Sequence, residues 1–204
     1  MEYHKIETLY ERDPKTFKVR PGELKNPTYG LLKSWQFTEK IDGTNIRCIW
    51  QDGKLTFGGR SDNAQIHADL IKHLYETVTV DKMREVFPDT NAIIYGEGFG
   101  AGIQKGANYG PTKRFIVFDV LAADKWWLNW ENTCDVAGKL NLPVVPFLGE
   151  MTLEQATDMV RAGFQSKLNG GKMKAEGLVG RPLETLFDKK GARLILKLKT
   201  NDFV

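Results

Sequence analysis

Apolar Trp35, Phe37 and Ile41, and then Ile46, Cys48 and Trp50, fall at even spacings, so Trp35–Ile41 and Asn45–Gln51 read as two strands. Asp42-Gly43 between them predicts a tight turn, Asp52-Gly53 a second turn, and Lys54–Phe57 a third strand, so this stretch reads as a β-meander. The period then changes. Leu70, Leu74 and Val78 recur at every fourth position with Ile71 and Tyr75 on the same face, which predicts a helix over Ala68–Val78. Asn91–Glu97 and Arg114–Leu121 read as buried strands. Between them Gly98–Pro111 carries Gly98, Gly100, Gly102, Gly106 and Gly110, a loop that lets backbone come close to a ligand. A short helix is expected over Asn132–Leu140. Thr152-Leu153-Glu154-Gln155 has the form of a capping box, opening a helix that turns Leu153, Ala156, Val160 and Phe164 inward. Asn169-Gly170-Gly171 leads to a strand at Ala175–Gly180, and Arg193–Lys199 closes the chain as another. Antiparallel strands with helices inserted between them predict the α+β class and a single domain over 1–204.

Composition narrows this little. The 204 residues are 41% hydrophobic and 27% charged, which sets disordered and fibrous classes aside. No stretch is long and apolar enough to cross a bilayer, and the Met1-Glu2-Tyr3-His4-Lys5 start lacks the apolar core of a signal peptide, so a cytoplasmic chain is expected. Cys48 and Cys134 have no metal-ligand spacing, which argues against structural zinc. Charge is more telling. Lys167–Lys199 holds nine basic against three acidic residues, a net +6 that leaves −3 for the rest of the +3 chain. Such a segment suits a phosphate backbone or a solvated lysine-rich face.

The candidate chemistry begins at Lys40, in Glu39-Lys40-Ile41-Asp42-Gly43-Thr44-Asn45-Ile46-Arg47. A lysine nucleophile must shed its proton and be held rigidly at its target, and phosphoryl transfer needs cations aimed at the phosphate oxygens. Lys197 and Lys199, two apart on one strand, point to one face and supply such cations. Glu97 and Glu176 each stand beside glycine at a strand end, where a carboxylate can help hold a divalent metal. A purine wants an aromatic platform. Phe115 and Phe118 share a strand but face opposite sides; Phe118 is the choice of platform and Phe115 the reserve, with core packing the ordinary use of either. Gly96-Glu97-Gly98-Phe99-Gly100-Ala101 matches a dinucleotide-binding fingerprint, but a glycine-studded loop follows where that motif requires a helix.

In this order the segments resemble the motifs of the covalent nucleotidyltransferases, the polynucleotide ligases and mRNA capping enzymes. More narrowly, Glu39-Lys40 with Gly43-Thr44-Asn45, Arg60 and Glu176 followed by Lys197 and Lys199 are similar to the RNA ligases of the bacteriophage T4 RNA ligase 2 type. The resemblance runs from about residue 35 to residue 199. It implies an antiparallel-sheet, ATP-grasp-like adenylation domain that joins a 3′-hydroxyl to a 5′-phosphate through a lysyl-AMP, using ATP and Mg²⁺ or Mn²⁺. Lys40 would take AMP, and Glu39 would read the adenine edge. Asn45 and Arg60 would hold phosphate or ribose, Glu97 the ribose hydroxyls and Phe118 the base. Glu176 would place the metal, with Glu97 a second carboxylate for it, while Lys197 and Lys199 would bind the AMP phosphate and assist departure of pyrophosphate. Asn45 stands where DNA ligases and capping enzymes usually have arginine, which favours RNA ligase. Whether Arg47 takes that arginine's part is open, as is the part of Asp42, which replaces the histidine of the T4 type.

The chain ends five residues after Lys199, so no OB domain or other C-terminal module is expected. The implied partner is a nucleic acid with 5′-phosphate and 3′-hydroxyl ends, RNA or a nick containing RNA, bound by a monomer. The alternatives are a DNA ligase, a capping guanylyltransferase, and a non-catalytic nucleic-acid-binding module. The last accounts for the basic segment and Trp126-Trp127, but not for the ordered lysines and acids.

Overall fold

The computed structural model describes residues 1–104 and 109–203; Gly106 of the glycine-rich loop lies outside them. In chain order the strands are β1 (Glu7–Thr8), β2 (Tyr10–Arg12), β3 (Val19–Leu24), β4 (Trp35–Lys40), β5 (Thr44–Gln51) and β6 (Lys54–Gly58). They continue with β7 (Ala92–Phe99), β8 (Arg114–Ala122), β9 (Trp126–Trp127), β10 (Phe147–Met151), β11 (Gly177–Arg181) and β12 (Leu196–Lys199). The helices are α1 (Ala68–Thr77), α2 (Val80–Val86), α3 (Trp130–Lys139) and α4 (Leu153–Ala162). The chain divides into two compact units, one of Met1–His4 with Asp42–Val145, the other of Lys5–Ile41 with Pro146–Val204.

The first unit is an antiparallel sheet in the order β6-β5-β7-β8-β9. Asp52 and Gly53 both have positive φ, 49° and 72°, the backbone of a two-residue turn whose twist suits the β5–β6 hairpin. Ile46, Cys48 and Trp50 of β5 project to one face and pack with Leu70 and Leu74 of α1, Met83 of α2 and Phe115, Val117 and Val120 of β8. Each such side chain, fully withdrawn from water, contributes about 1.5–3 kcal/mol. Gly96 has a specific reason: a Cβ there would lie 2.3 Å from the Phe115 ring. Tyr75 departs from the helical pattern. It is 64% exposed on α1, touching Phe57 ring edge to face rather than joining the core. The short helix α2 follows a Thr79 cap and buries only Met83, too little periodicity to be read in sequence.

The second unit carries the sheet β1-β12-β11-β4-β10, in which β1 runs parallel to β12 and the other pairs are antiparallel. Trp35 and Phe37 of β4, Leu178 of β11 and Leu196 and Leu198 of β12 form its apolar face, covered by Ala156 and Val160 of α4. The expected capping box is present: Gln155 N–H donates to Thr152 Oγ1, and Thr152 N–H to Gln155 Oε1.

The meander expected from Trp35 onward is not formed. β4 pairs with β10 and β11, whereas β5 pairs with β6 and β7, so the two strands belong to different sheets. The Asp42-Gly43 link is a crossing between sheets rather than a hairpin turn. Gly43 is required there by close approach, since a Cβ would fall 2.3 Å from the Gly98 carbonyl oxygen.

Candidate active site

Strand register gathers the second unit's lysines. Lys40 lies opposite Gly177 and Gly177 opposite Lys199, while Lys197 lies opposite Val179, two residues further along β11. Directly opposed residues share a face of the sheet, so Lys40, Lys197 and Lys199 project on the side away from the apolar core. Gly177 leaves the row between Lys40 and Lys199 without a side chain. A Cβ there would come 1.9 Å from the Leu198 carbonyl oxygen.

Glu176, immediately before β11, fills that gap. Its Oε2 lies 2.6 Å from Lys40 Nζ and its Oε1 2.8 Å from Lys199 Nζ, so one carboxylate bridges two ammonium groups. The strand end that carries it is tied down by Thr200, whose N–H donates to the Glu176 carbonyl and whose hydroxyl donates to that of Ala175. Lys197 is less comfortable as a cation. Burial holds its pKa below the ordinary lysine value, the charges of Lys199 and Lys40 push it further down, and Glu7 opposes them. These are the groups the sequence singled out as nucleophile and phosphate cations, and the fold brings them together.

Glu39 faces the other way. It is 1% exposed, and its carboxylate accepts from the Ser166 hydroxyl at 2.5 Å and from the Lys167 N–H at 2.8 Å. Burial raises its pKa against the pull of those hydrogen bonds and of the Lys167 charge. Ser166 also accepts from the Leu168 N–H, so the segment running from α4 towards Glu176 is anchored on the residue preceding Lys40. The sequence reading missed Ser166, which stands 127 residues from Glu39 and carries no local signal.

The other sequence-selected residues belong to the first unit. Asn45 and Glu97 are direct cross-strand neighbours on β5 and β7, and Asn45 Oδ1 is buried without a hydrogen-bond partner among the described residues. Glu97 was expected at a strand end but sits within β7, which continues to Phe99. Phe115 is in the core, 1% exposed. Phe118 is the extra residue of a bulge, since Tyr95 pairs with Asp119 and Gly96 with Val117. It turns to the opposite face, half-buried, with the Tyr3 ring 5.1 Å away and edge-on. Arg60 is exposed just beyond β6, and Asp42 donates its N–H to the Tyr109 hydroxyl.

No group of three or more His, Cys, Asp or Glu side chains that could cage a metal occurs among the described residues. A divalent ion carried by a polyphosphate needs only one or two carboxylates, because phosphate oxygens and water complete its shell. Glu176, its side chain 16% exposed between Lys40 and Lys199, is a carboxylate of the kind that lesser demand requires.

The chain belongs to the RNA ligase family: the family model of that description matches residues 33–199. Solved structures share its fold. A lysine-to-alanine variant of Naegleria gruberi RNA ligase with ATP and Mn superposes with a TM-score of 0.71 at 20% identity, covering 98% of this chain and 59% of that one. The same ligase with PPi gives 0.70 at 21% identity, over 98% and 60%. A lysine-to-methionine variant with AMP and Mn gives 0.70 at 20%, over 98% and 60%. The chain thus spans about three fifths of the length of the ligases it matches. No curated protein matches it.

Proposed function

We propose that this chain is an ATP-dependent RNA ligase acting through a covalent lysyl-AMP. The observation that carries the reading is the Glu176 carboxylate between Lys40 and Lys199, with Lys197 on the same face, in a member of the RNA ligase family. The ATP, AMP and Mn of the Naegleria ligase structures support the choice of nucleotide and metal. Lys40 Nζ gives up its ammonium proton to solvent and attacks the α-phosphorus of ATP; a P–N bond forms as the bond to the pyrophosphate oxygen breaks, and the nitrogen sheds a second proton to solvent, leaving the phosphoamide. Glu176 fixes that amine before the nucleotide arrives. Lys197 and Lys199 meet the charge that develops on the phosphate and leaving-group oxygens. Mg²⁺ or Mn²⁺, held by Glu176 with Glu97 as the second carboxylate in the assignment, would neutralise polyphosphate charge. Asn45 and Arg60 serve phosphate or ribose, Glu97 the ribose hydroxyls, Phe118 the base, and Glu39 the adenine edge, by their places in the motif order. AMP then passes to a 5′-phosphate, and a 3′-hydroxyl displaces it.

We assign the whole chain to one adenylation module, working as a monomer in the cytoplasm. Among the described residues no helix is long and apolar enough to cross a membrane. Its substrate is RNA with 5′-phosphate and 3′-hydroxyl ends, aligned at a nick. The test is single-turnover sealing by protein preloaded with AMP and freed of ATP. Matched nicks with an RNA 3′ end should close faster than those with a DNA 3′ end, and more slowly as salt rises, because the basic segment can grip only backbone phosphates. Equal rates on both ends would remove the RNA preference.

The two phenylalanines separate binding from folding. Phe118→Ala should weaken ATP use by roughly 1–3 kcal/mol, the worth of a stacked base, with a melting point close to wild type. Phe115→Ala should destabilise the protein by about 3–5 kcal/mol, as core truncations do. Nucleotide titration and thermal melts of both variants decide it; exchanged phenotypes would move the platform to Phe115.

A further inference from the structure

Arg47 is 2% exposed, among the most buried large side chains of the protein. It lies on β5 two residues beyond Asn45, facing away from the first unit's core. Its Nε donates to the Gly59 carbonyl at 2.7 Å, and its Nη2 donates to the Asp62 carboxylate at 2.8 Å. Those two acceptors bracket Arg60 and Ser61. Gly58 makes room for the contact, since a Cβ there would lie 2.9 Å from Arg47 Nη2. The bracketed loop has further ties: Ala64 N–H donates to the Ser61 carbonyl, and Asp62 N–H to the Glu2 carboxylate. A guanidinium withdrawn from water needs acceptors, and Arg47 finds two of them on this loop, so the loop is held in place by it. The fork also spans two acceptors at once, which a single ammonium cannot reproduce.

We propose that Arg47 is the positioning residue for Arg60: it grips the chain on either side of Arg60 and thereby sets where that exposed guanidinium stands for the phosphate or ribose of the nucleotide. Two of the five N–H donors of Arg47 go to this loop, which fixes its guanidinium beside Gly59 and Asp62. The catalytic consequence rests on the proposed ligase reading, whereas the clamp itself does not. Two measurements on the full chain keep them apart. The first is native-state tryptic cleavage after Arg60. In Arg47→Met it should be about tenfold faster than in wild type, while cleavage after the exposed Lys189 is unchanged, because local opening and not global unfolding is what rises.

The second is the ATP dependence of adduct formation. Arg47→Met should lose about ten- to a hundredfold in efficiency, as misplaced binding groups do, and Arg47→Lys should fall between it and wild type. Arg47→Met combined with Arg60→Ala should be no worse than Arg60→Ala alone. Should Arg47→Met fail to fold, Asp62→Asn alters only the 82% exposed end of the clamp and should move both readouts weakly in the same direction. Unchanged cleavage after Arg60, or losses that multiply in the double variant, overturns the proposal. A wild-type chain that forms no adduct overturns the ligase reading, and the tryptic readout still decides the clamp.

Discussion

Replacing Lys40 by alanine or by arginine is expected to abolish covalent attachment of AMP while leaving the protein folded. Alanine removes the amine proposed to attack. Arginine keeps the charge, yet a guanidinium stays protonated and supplies no lone pair. Fold loss does not explain either result, because Lys40 is the last residue of β4 and its side chain lies outside the apolar cluster formed by Trp35 and Phe37. Labelled-nucleotide transfer with melting curves of the two variants is the check. An undiminished adduct in Lys40→Ala would place the nucleophile elsewhere.

Glu176→Gln should have the second largest effect, a fall in adduct formation of about two to three orders of magnitude, comparable to losing a preorganised electrostatic contact in other active sites. The amide preserves shape but removes the charge that lies 2.6 Å from Lys40 Nζ and 2.8 Å from Lys199 Nζ. Three ammonium groups on one sheet face then repel, and each is free to swing out of line, so both positioning and metal placement suffer. Higher ATP should not restore the rate, because the loss lies in the bound complex rather than in nucleotide capture. Measuring the adduct-forming rate against ATP and against Mg²⁺ concentration separates these; full rescue by excess ATP would show that Glu176 serves binding alone.

The features legible in the sequence are those set by local chemistry. The Thr152 capping box, the Asp52-Gly53 turn and the four-residue spacing of Leu70, Leu74 and Val78 each specify their own structure within a few residues. The shared face of Lys197 and Lys199 follows from strand parity alone. Pairing is different, because it is decided between distant segments. Nothing near Asp42-Gly43 shows that β4 joins β11, whose residues lie far along the chain, or that β5 joins β7. The contacts of Glu39 with Ser166 and of Arg47 with Asp62 were unreadable for the same reason, since serine and aspartate in polar stretches have many ordinary uses. The bridging of two lysines by Glu176 needed both kinds of information: residue types given by sequence, and a register in which a glycine separates the lysines.

The central claim, that Lys40 becomes adenylylated, is tested most directly by intact mass of the purified chain after incubation with ATP and Mg²⁺ or Mn²⁺, followed by peptide mapping. The expected result is a gain of one adenylyl group, absent with GTP, located on the peptide containing Lys40 and reversed by added pyrophosphate. An unchanged mass with ATP and either metal, or an adenylyl group mapped to another residue, would contradict it.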